Sequence, residues 1–195
     1  MLDFSEEVVK SLTSLDKVID MREHKTDLDM MVKTNWKNEV RRRGKRSHDV
    51  VVKHTAVGLG AEIAVQSTGL FEQAAPITEN AEGLTFAQRK KDVFCEGKSG
   101  EIKTMNAKYP FWYISDSQAE SVMYSTRFNQ FFLIVAYEEV QSLKYRYRPR
   151  YLVDSNKLSE YIVKNARTGT GFSSYRFDHV RAIQNGHCVD LWSNQ

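Results

Sequence analysis

Seven consecutive apolar residues, from Phe131 to Tyr137, constrain the fold more than any other feature of the chain. The run is far shorter than the ~20 residues that a membrane-spanning helix needs. It is rich in aromatic and β-branched residues and contains no charged residue, which is typical of a strand buried on both faces. A sheet built around such a strand must be covered on both sides, so the run predicts a layered fold with helices flanking the sheet.

Two shorter strand-like runs precede this segment. Residues 91–96 and 100–105 are separated by Gly97-Lys98-Ser99, and this spacing predicts a β-hairpin. Residues 145–153 predict a further strand, in which Pro149 favours an edge position or an irregular end.

Helical periodicity appears on both sides of these strands. Ser5 is a typical helix start, and apolar residues then recur at helical spacing at Val8, Val9, Leu12, Leu15, Val18 and Ile19. Further helices are predicted through Met30, Met31 and Trp36, over residues 48–67, over 116–129, and briefly over 155–164. The order of elements predicts an α/β fold with a mixed sheet. We expect residues 1–46 to form a helical basic arm on a domain of residues 47–195, most simply as one compact unit.

Composition excludes several classes of protein. With 41% hydrophobic and 27% charged residues, the 195-residue chain is typical of a globular domain. Two cysteines cannot form a disulfide framework, and a structural zinc site would need four ligands. The acidic amino terminus lacks the features of a signal peptide, so we expect a cytoplasmic protein with no membrane partner.

The predicted hairpin carries the residues that indicate chemistry. Side chains alternate along a strand, so Glu101 and Lys103 share a face. A turn about Gly97-Lys98 would place Asp92 on the same face, opposite Lys103 and diagonal to Glu101. Two carboxylates placed diagonally on neighbouring strands suit Mg²⁺, which takes one or two protein carboxylates and keeps several waters. We therefore expect a magnesium site on the hairpin, where Mn²⁺ is expected to substitute.

Each of these residues has an expected role. Asp92 and Glu101 would hold the metal, with the main-chain carbonyl of Ile102 as a further ligand. Lys103 would orient the attacking water and stabilise charge on a phosphate. Glu62, on the helix before the hairpin, is the candidate for a third carboxylate. Glu96 is a rival ligand on the face of Asp92, but its place at the turn favours exposure to solvent.

The segment from Asp92 to Lys103 resembles the signature of the PD-(D/E)xK nuclease superfamily. The resemblance covers residues 50–137 and implies a restriction endonuclease-like αβββαβ core in which Glu62, Asp92, Glu101 and Lys103 are catalytic.

The sequence departs from the family pattern at two places. Lys91 stands where the signature has its proline. Gln118 and Tyr124 are six residues apart, whereas exonuclease-like members place a Gln and a Tyr four apart, so the spacing disfavours that branch.

Basic clusters supply a second line of argument. They form the electrostatic pattern expected of a protein that binds the phosphate backbone of DNA. Alternation in the strand after residue 143 would turn Tyr145, Tyr147 and Tyr151 inward and the basic residues toward phosphate. We expect DNA contacts from Arg41, Arg42, Arg43, Lys45, Arg46, Lys90, Lys144, Arg146, Arg148 and Arg150.

These features favour a Mg²⁺-dependent endodeoxyribonuclease that acts on duplex or branched DNA. The small size and the basic arm suit a restriction enzyme-like homodimer, and a junction resolvase-like or nicking enzyme fits the same residues. The alternatives are a non-catalytic DNA-binding protein that retains the nuclease fold, and an interaction protein whose charged runs are solvated faces.

Overall fold

The computed structural model describes residues 3–41, 46–74, 91–164 and 175–193. The α-helices in these ranges are α1 (Glu6–Ser14), α2 (Lys25–Arg41), α3 (His48–Gln66), α4 (Asp116–Ser125) and α5 (His179–Gln184). The strands are β1 (Lys17–Asp20), β2 (Glu72–Gln73), β3 (Val93–Cys95), β4 (Lys98–Asn106), β5 (Tyr113–Ile114), β6 (Phe131–Gln141), β7 (Lys144–Asp154), β8 (Ile162–Lys164), β9 (Tyr175–Phe177) and β10 (Cys188–Asp190). A 3₁₀ helix spans Ser155–Tyr161.

The main sheet has seven strands in the order β1-β7-β6-β4-β3-β2, with β10 also pairing with β7. Strand β4 runs parallel to β6, and the other neighbouring strands are antiparallel. A second sheet has the order β5-β9-β8. The chain is therefore an α/β protein with a mixed sheet flanked by helices, as the order of elements predicts.

The apolar run forms the central strand, and Phe131 through Ala136 are buried. Alternate residues enter two hydrophobic clusters. Leu133 packs in a cluster with residues of α1, α2 and α3, whereas Ile134 packs in a cluster with residues of β5, α4 and the 3₁₀ helix. Both faces of β6 are therefore covered, which confirms the prediction of a buried central strand.

The first predicted helix is shorter than its periodicity suggested. The hydroxyl of Ser5 accepts a hydrogen bond from the Val8 amide and caps α1, which ends at Ser14. The prediction that Val18 and Ile19 continue the helix is wrong, because they lie in β1 and pair with β7. The ladder to β7 satisfies their main-chain groups, and spaced apolar residues at the end of a helix fit a short strand equally well.

Strand β7 departs from regular alternation at Arg150. Ile134 pairs with Tyr151 and Val135 with Pro149, so Arg150 is an extra residue in a β-bulge. As a consequence Tyr151 points to the opposite face of the sheet from Tyr145 and Tyr147. The prediction that the three tyrosines share one face is therefore wrong for Tyr151.

The edge position that Pro149 suggested for β7 is also wrong. Strand β7 lies inside the sheet, with β6 on one side. On its other side it pairs with β1 over residues 144–147 and with β10 over residues 151–153. Pro149 falls between these two ladders, where its missing N–H leaves no hydrogen bond unmade.

The carboxy-terminal third contains elements that sequence periodicity does not order. The short helix predicted over 155–164 is a 3₁₀ helix followed by β8. The helix predicted over 116–129 ends at Ser125. Within the described ranges, no helix combines the length and apolarity needed to cross a membrane.

Candidate active site

The hairpin turns on two residues, Glu96 and Gly97, with φ of 49° and 72°. Positive φ at both central positions matches the right-handed twist of a two-residue hairpin. Val93 pairs with Gly100 and Cys95 with Lys98. The turn therefore lies at Glu96-Gly97, one residue before the expected position at Gly97-Lys98.

The regular pairing ends at Val93 and Gly100. Asp92 is hydrogen-bonded to Gly100 and Ile102, so it lies beside residues 100–102 rather than opposite Lys103. The two carboxylates are thus closer neighbours on the hairpin than the sequence predicted.

At the open end of the hairpin, the Asp92 side chain makes the hydrogen bond that the main chain of a neighbouring strand would otherwise make. The Asp92 amide donates to the Gly100 carbonyl at 3.0 Å, and Oδ2 of Asp92 accepts from the Ile102 amide at 2.7 Å. The side chain thereby continues the ladder one step beyond the end of β3. The N–H and C=O of a strand residue point to the same edge, so the Ile102 carbonyl is directed toward the edge where Asp92 lies.

Glu101 is buried, with 4% of its surface exposed, and both of its oxygens have partners. Lys103 Nζ donates to Oε1 and forms a salt bridge with it. Asn129 Nδ2 donates to Oε2 at 3.3 Å and to the Ser125 carbonyl at 3.0 Å. A buried carboxylate is costly unless it is paired and hydrogen-bonded, and these two donors meet that requirement.

Glu62, on α3, lies within electrostatic reach of the hairpin residues. Burial raises the pKa of Glu62 well above the usual value of 4.5, and the negative charges of Asp92 and Glu101 add to the effect, whereas Lys103 opposes it. Burial alone would lower the pKa of Lys103, but the charges of Glu101, Asp92 and Glu62 raise it above its usual value. The fold therefore brings Glu62, Asp92, Glu101 and Lys103 into one charged cluster, which we call the hairpin cluster.

The side chains as they stand do not form a complete metal cage. In the parts of the chain that the structure describes, no three His, Cys, Asp or Glu side chains are grouped closely enough to hold a metal ion. Mg²⁺ needs fewer protein ligands, because it usually keeps several waters and binds through one or two carboxylates. Asp92, Glu101 and the Ile102 carbonyl supply the hard oxygen donors that this ion prefers, so the residues fit it.

Sequence reasoning missed Asn129, which is 4% exposed and contacts Glu101 across 28 residues. It lies in the connection from α4 to β6, which is also hydrogen-bonded to Ser99 of β4. Ser99 Oγ donates to the Phe128 carbonyl at 2.9 Å, and the Gln130 Oε1 accepts from the Ser99 amide at 3.1 Å. A polar residue just before a buried strand is the one sequence signal that could have marked it.

The expected DNA-binding residues have different environments. Arg42, Arg43, Lys45 and Lys90 lie outside the described residues. Arg41 is exposed at the end of α2. The guanidinium of Arg46 is bonded to Glu39, whose carboxylate is buried.

The basic residues of β7 are partly engaged within the protein. Lys144 pairs in register with Asp20, and Arg146 Nε lies 3.4 Å from Asp16 Oδ1. The guanidinium groups of Arg148 and Arg150 lie 4.8 Å and 4.5 Å from the centre of the Trp192 ring. Arginines stacked on an indole keep their N–H groups at the edge of the stack, where phosphate could be bound.

Other polar residues lie apart from the hairpin cluster. Glu96 is exposed at the turn and accepts from the Ser5 amide at 3.2 Å, as its position predicts. His187 Nδ1 is hydrogen-bonded to the Tyr161 hydroxyl at 2.6 Å, and His179 stacks on Tyr151. Residues 165–174, which include the glycine-containing segment after Arg167, lie outside the described residues.

Comparison of the chain with protein-family models, with curated proteins and with solved structures finds no match.

Proposed function

We propose that this protein is a Mg²⁺-dependent endodeoxyribonuclease, restriction enzyme-like or junction resolvase-like, whose catalytic residues are Asp92, Glu101, Lys103 and Glu62. The observation that carries the proposal is the hairpin cluster. Three acidic side chains and one lysine, drawn from a helix and a hairpin, lie close together: Lys103 is bonded to Glu101, and the charges of Asp92 and Glu101 help to raise the pKa of Glu62 and of Lys103. Clusters of this kind, with perturbed pKa values, are concentrated at functional sites.

The order of elements around the cluster supports the same proposal. The sequence α3, β2, β3, β4, α4, β6 gives one helix, three strands, a helix and a strand, interrupted only by the two-residue β5. Strands β2, β3 and β4 form an antiparallel meander, and β4 lies parallel to β6. This is the αβββαβ order that the resemblance to PD-(D/E)xK nucleases implies.

The chemistry follows from the donors in the cluster. Mg²⁺ bound by Asp92, Glu101 and the Ile102 carbonyl would polarise the phosphate and lower the pKa of a bound water. Lys103 would hold its positive charge beside the reacting phosphate and stabilise the charge that develops there. Glu62 would accept a proton as water attacks phosphorus. One P–O ester bond breaks, and the departing oxygen takes a proton, so the products are a phosphate monoester and a hydroxyl.

DNA is the proposed partner, and the proposed assembly is a homodimer. The described residues contain one hairpin cluster, so cutting both strands of a duplex requires two chains or two successive events. Arg148 and Arg150 on β7, with Arg41 at the end of α2, are the described cations that we propose contact the backbone. Light scattering of the purified protein, alone and with DNA, would measure the assembly.

The decisive experiment incubates the purified protein with supercoiled plasmid, linear duplex and a four-way junction, in Mg²⁺ and in EDTA. Discrete products that require Mg²⁺ are expected, and the preferred substrate separates restriction-like from resolvase-like action. The matched pair of variants is Glu101→Gln and Glu96→Gln, because both remove a carboxylate from the same hairpin but only Glu101 belongs to the cluster.

Loss of cutting in Glu101→Gln alone would support the assignment. Equal cutting by both variants would overturn the site. If the wild-type protein binds every substrate in Ca²⁺ but cuts none in Mg²⁺ or Mn²⁺, the non-catalytic DNA-binding protein replaces the nuclease.

A further inference from the structure

The segment that follows β4 carries aromatic residues at every second position. Tyr109, Phe111 and Tyr113 alternate with Pro110 and Trp112. Trp112 is buried, with 5% of its surface exposed, and Ile114 and Phe177 are fully buried beside it. Tyr109 is exposed and Phe111 and Tyr113 are half-buried, so the three odd-numbered aromatics are more open to solvent than Trp112 and Ile114. We call Tyr109, Phe111, Tyr113 and Arg176 the aromatic surface.

The rings of this surface contact one another. Tyr109 and Tyr113 meet edge to face with centroids 5.9 Å apart, and Phe111 meets Tyr113 at 6.1 Å. Tyr109 is 55% exposed, so much of its ring is open to solvent. The residue before a proline is restricted to extended conformations, which limits the freedom of Tyr109. Aromatic rings that contact one another and are open to solvent beside the small sheet require an explanation.

Positive charge accompanies the rings. The Arg176 guanidinium lies 4.5 Å from the centre of the Phe111 ring, and Arg176 pairs in register with Tyr113. Lys108 is exposed next to Tyr109. Among the described residues, neither Lys108 nor Arg176 forms a salt bridge with an acidic side chain. Two cations without carboxylate partners beside exposed rings favour a ligand that has both flat faces and negative charge.

We propose that the aromatic surface binds unpaired bases of a nucleic acid, with Arg176 and Lys108 on the adjoining phosphates. Stacked aromatic rings combined with basic side chains are the usual means of binding single strands, and every base offers a face for stacking. In an intact duplex these faces are covered by neighbouring base pairs. The inference rests on the proposed nuclease function and deepens it, because it selects a substrate with a single-stranded or branched region.

The position along the chain agrees with this substrate. Tyr109 follows Lys103 by six residues, so their Cα atoms are at most about 20–22 Å apart even in fully extended chain. Glu101, Lys103 and Met105 alternate with Ile102 on β4, and Met105 belongs to the same hydrophobic cluster as Trp112, Ile114 and Phe177. Glu101 and Lys103 therefore lie on the face of β4 that carries the hydrophobic cluster of Trp112, whereas Glu62 belongs to α3, which packs on the other face.

The test measures binding of fluorescent oligothymidine and of a blunt duplex of equal length, in EDTA so that no cutting intervenes. We expect tighter binding of oligothymidine. Tyr109→Leu should weaken it by about tenfold, since stacking on one base contributes roughly 1–3 kcal/mol. Tyr109→Trp should bind oligothymidine about as tightly as the wild-type protein does. An indole ring stacks on a base, whereas the side chain of leucine does not. Tyr124→Leu, at an exposed tyrosine on α4, is the matched control.

The outcomes separate this inference from the proposed function. Duplex binding with no preference for oligothymidine, or an equal loss for both ligands in Tyr109→Leu, would overturn the inference and leave the nuclease intact. Binding of neither DNA by the wild-type protein would overturn both. Capture of an aromatic- or proline-containing peptide in place of oligothymidine would also overturn it, in favour of a protein partner.

Discussion

The side-chain amide of Asn129 donates a hydrogen bond to Glu101 from the end of the connection between α4 and β6, and both residues are buried. Lys103 occupies the other oxygen of the same carboxylate. Glu101 is thus held between a cation on its own strand and an amide in the connection that precedes β6. Removing a partner that orients a metal-binding side chain typically lowers metal affinity or activity by about 10–100-fold.

Replacing Asn129 should therefore weaken metal binding. For Asn129→Ala we expect a loss of about 10–100-fold in Mg²⁺ or Mn²⁺ affinity, measured by calorimetry on the protein without DNA. Gln130→Ala is the control, because Gln130 also fastens the connection to β4, through Ser99, but does not touch Glu101. Equal effects of the two substitutions would show that Asn129 only maintains the connection. An unchanged affinity in Asn129→Ala would contradict the role.

Lys103 should affect rate more than metal affinity. For Lys103→Ala we expect cleavage to slow by about 10²–10³-fold, the typical cost of removing one group that stabilises developing charge. Calorimetry should show metal affinity changed much less. Lys98→Ala removes a lysine from the start of the same strand, where it lies near Glu96, and should leave the rate unchanged. A parallel loss of metal affinity and rate in Lys103→Ala would assign Lys103 to binding instead.

The carboxylate of Asp92 accepts a hydrogen bond from the main chain of Ile102, and a variant that tests metal binding must preserve this bond. Asp92→Asn retains an oxygen that can accept from the Ile102 amide, so the hairpin end should keep its hydrogen bond. The lost charge should still abolish cutting, while DNA binding in Ca²⁺ survives. Persisting cleavage in Asp92→Asn, with unchanged dependence on Mg²⁺, would exclude Asp92 as a metal ligand.

Glu62 makes stability depend on pH. Its pKa is raised above 4.5 in the folded protein by burial and by Asp92 and Glu101. Below pH 4.5 both folded and unfolded states hold the proton, so wild type and Glu62→Gln should be equally stable. Above pH 4.5 the unfolded state releases this proton while the folded state retains it. Wild type therefore loses stability until the pH has passed the folded pKa, by about 1.4 kcal/mol for each unit by which the pKa is raised.

Urea denaturation in EDTA from pH 4.5 to 9 measures this divergence. Glu62→Gln should become the more stable protein toward alkaline pH, and it should also cut DNA more slowly. Glu120→Gln, on the exposed surface of α4, controls for the change in net charge. Parallel stability curves for wild type and Glu62→Gln would show that Glu62 is not held close to the other carboxylates.

The basic residues of β7 should contribute to DNA affinity through their charge. For Arg148→Ala and Arg150→Ala we expect weaker binding to every sequence, with the salt dependence reduced by about one unit of slope for each. Arg22 is a matched control, because it is 54% exposed yet bonded to Asp20 on the neighbouring β1. Binding titrations from 50 to 200 mM salt distinguish these variants. A slope that is unchanged in Arg148→Ala would place its guanidinium outside the interface.

The local part of the site could be predicted from the sequence, and the non-local part could not. Alternation along one strand is sufficient to place Glu101 and Lys103 on one face. The partner of Asp92 depended on the turn, and nothing in the sequence indicates that Glu96, rather than a glycine, adopts a positive φ. Asn129 depends on how the connection after α4 packs against β4, which is a tertiary contact.

The same distinction applies to the fold. The apolar run determined the central strand because burial on both faces leaves a strong local pattern. Val18 and Ile19 were misassigned because their state is set by pairing with β7, which is more than 120 residues away in the chain. The bulge at Arg150 was missed for a similar reason, since a one-residue shift in register is visible only when two strands are compared.

Two glycines of α3 provide a test of the packing that supports the site. A Cβ at Gly58 would have no neighbour within 4 Å, whereas a Cβ at Gly60 would overlap the Tyr147 hydroxyl and lie 2.8 Å from Cζ of that ring. Tyr147 is fully buried and donates to the Ala56 carbonyl at 3.4 Å, so it cannot move aside freely. Of these two glycines, Gly60 is therefore the one at which α3 approaches β7 more closely.

Gly58→Ala should stabilise the protein by about 0.5–1 kcal/mol, because alanine loses less conformational freedom in a helix than glycine does. Gly60→Ala should destabilise it by about 1–3 kcal/mol, the usual cost of overpacking a core. Urea denaturation compares the two, and adding Tyr147→Phe to Gly60→Ala should recover part of the loss by removing the overlapping hydroxyl. Equal stability of the two alanine variants would mean that α3 does not pack on Tyr147 as described. The position of Glu62, two residues after Gly60 on the same helix, would then have to be revised.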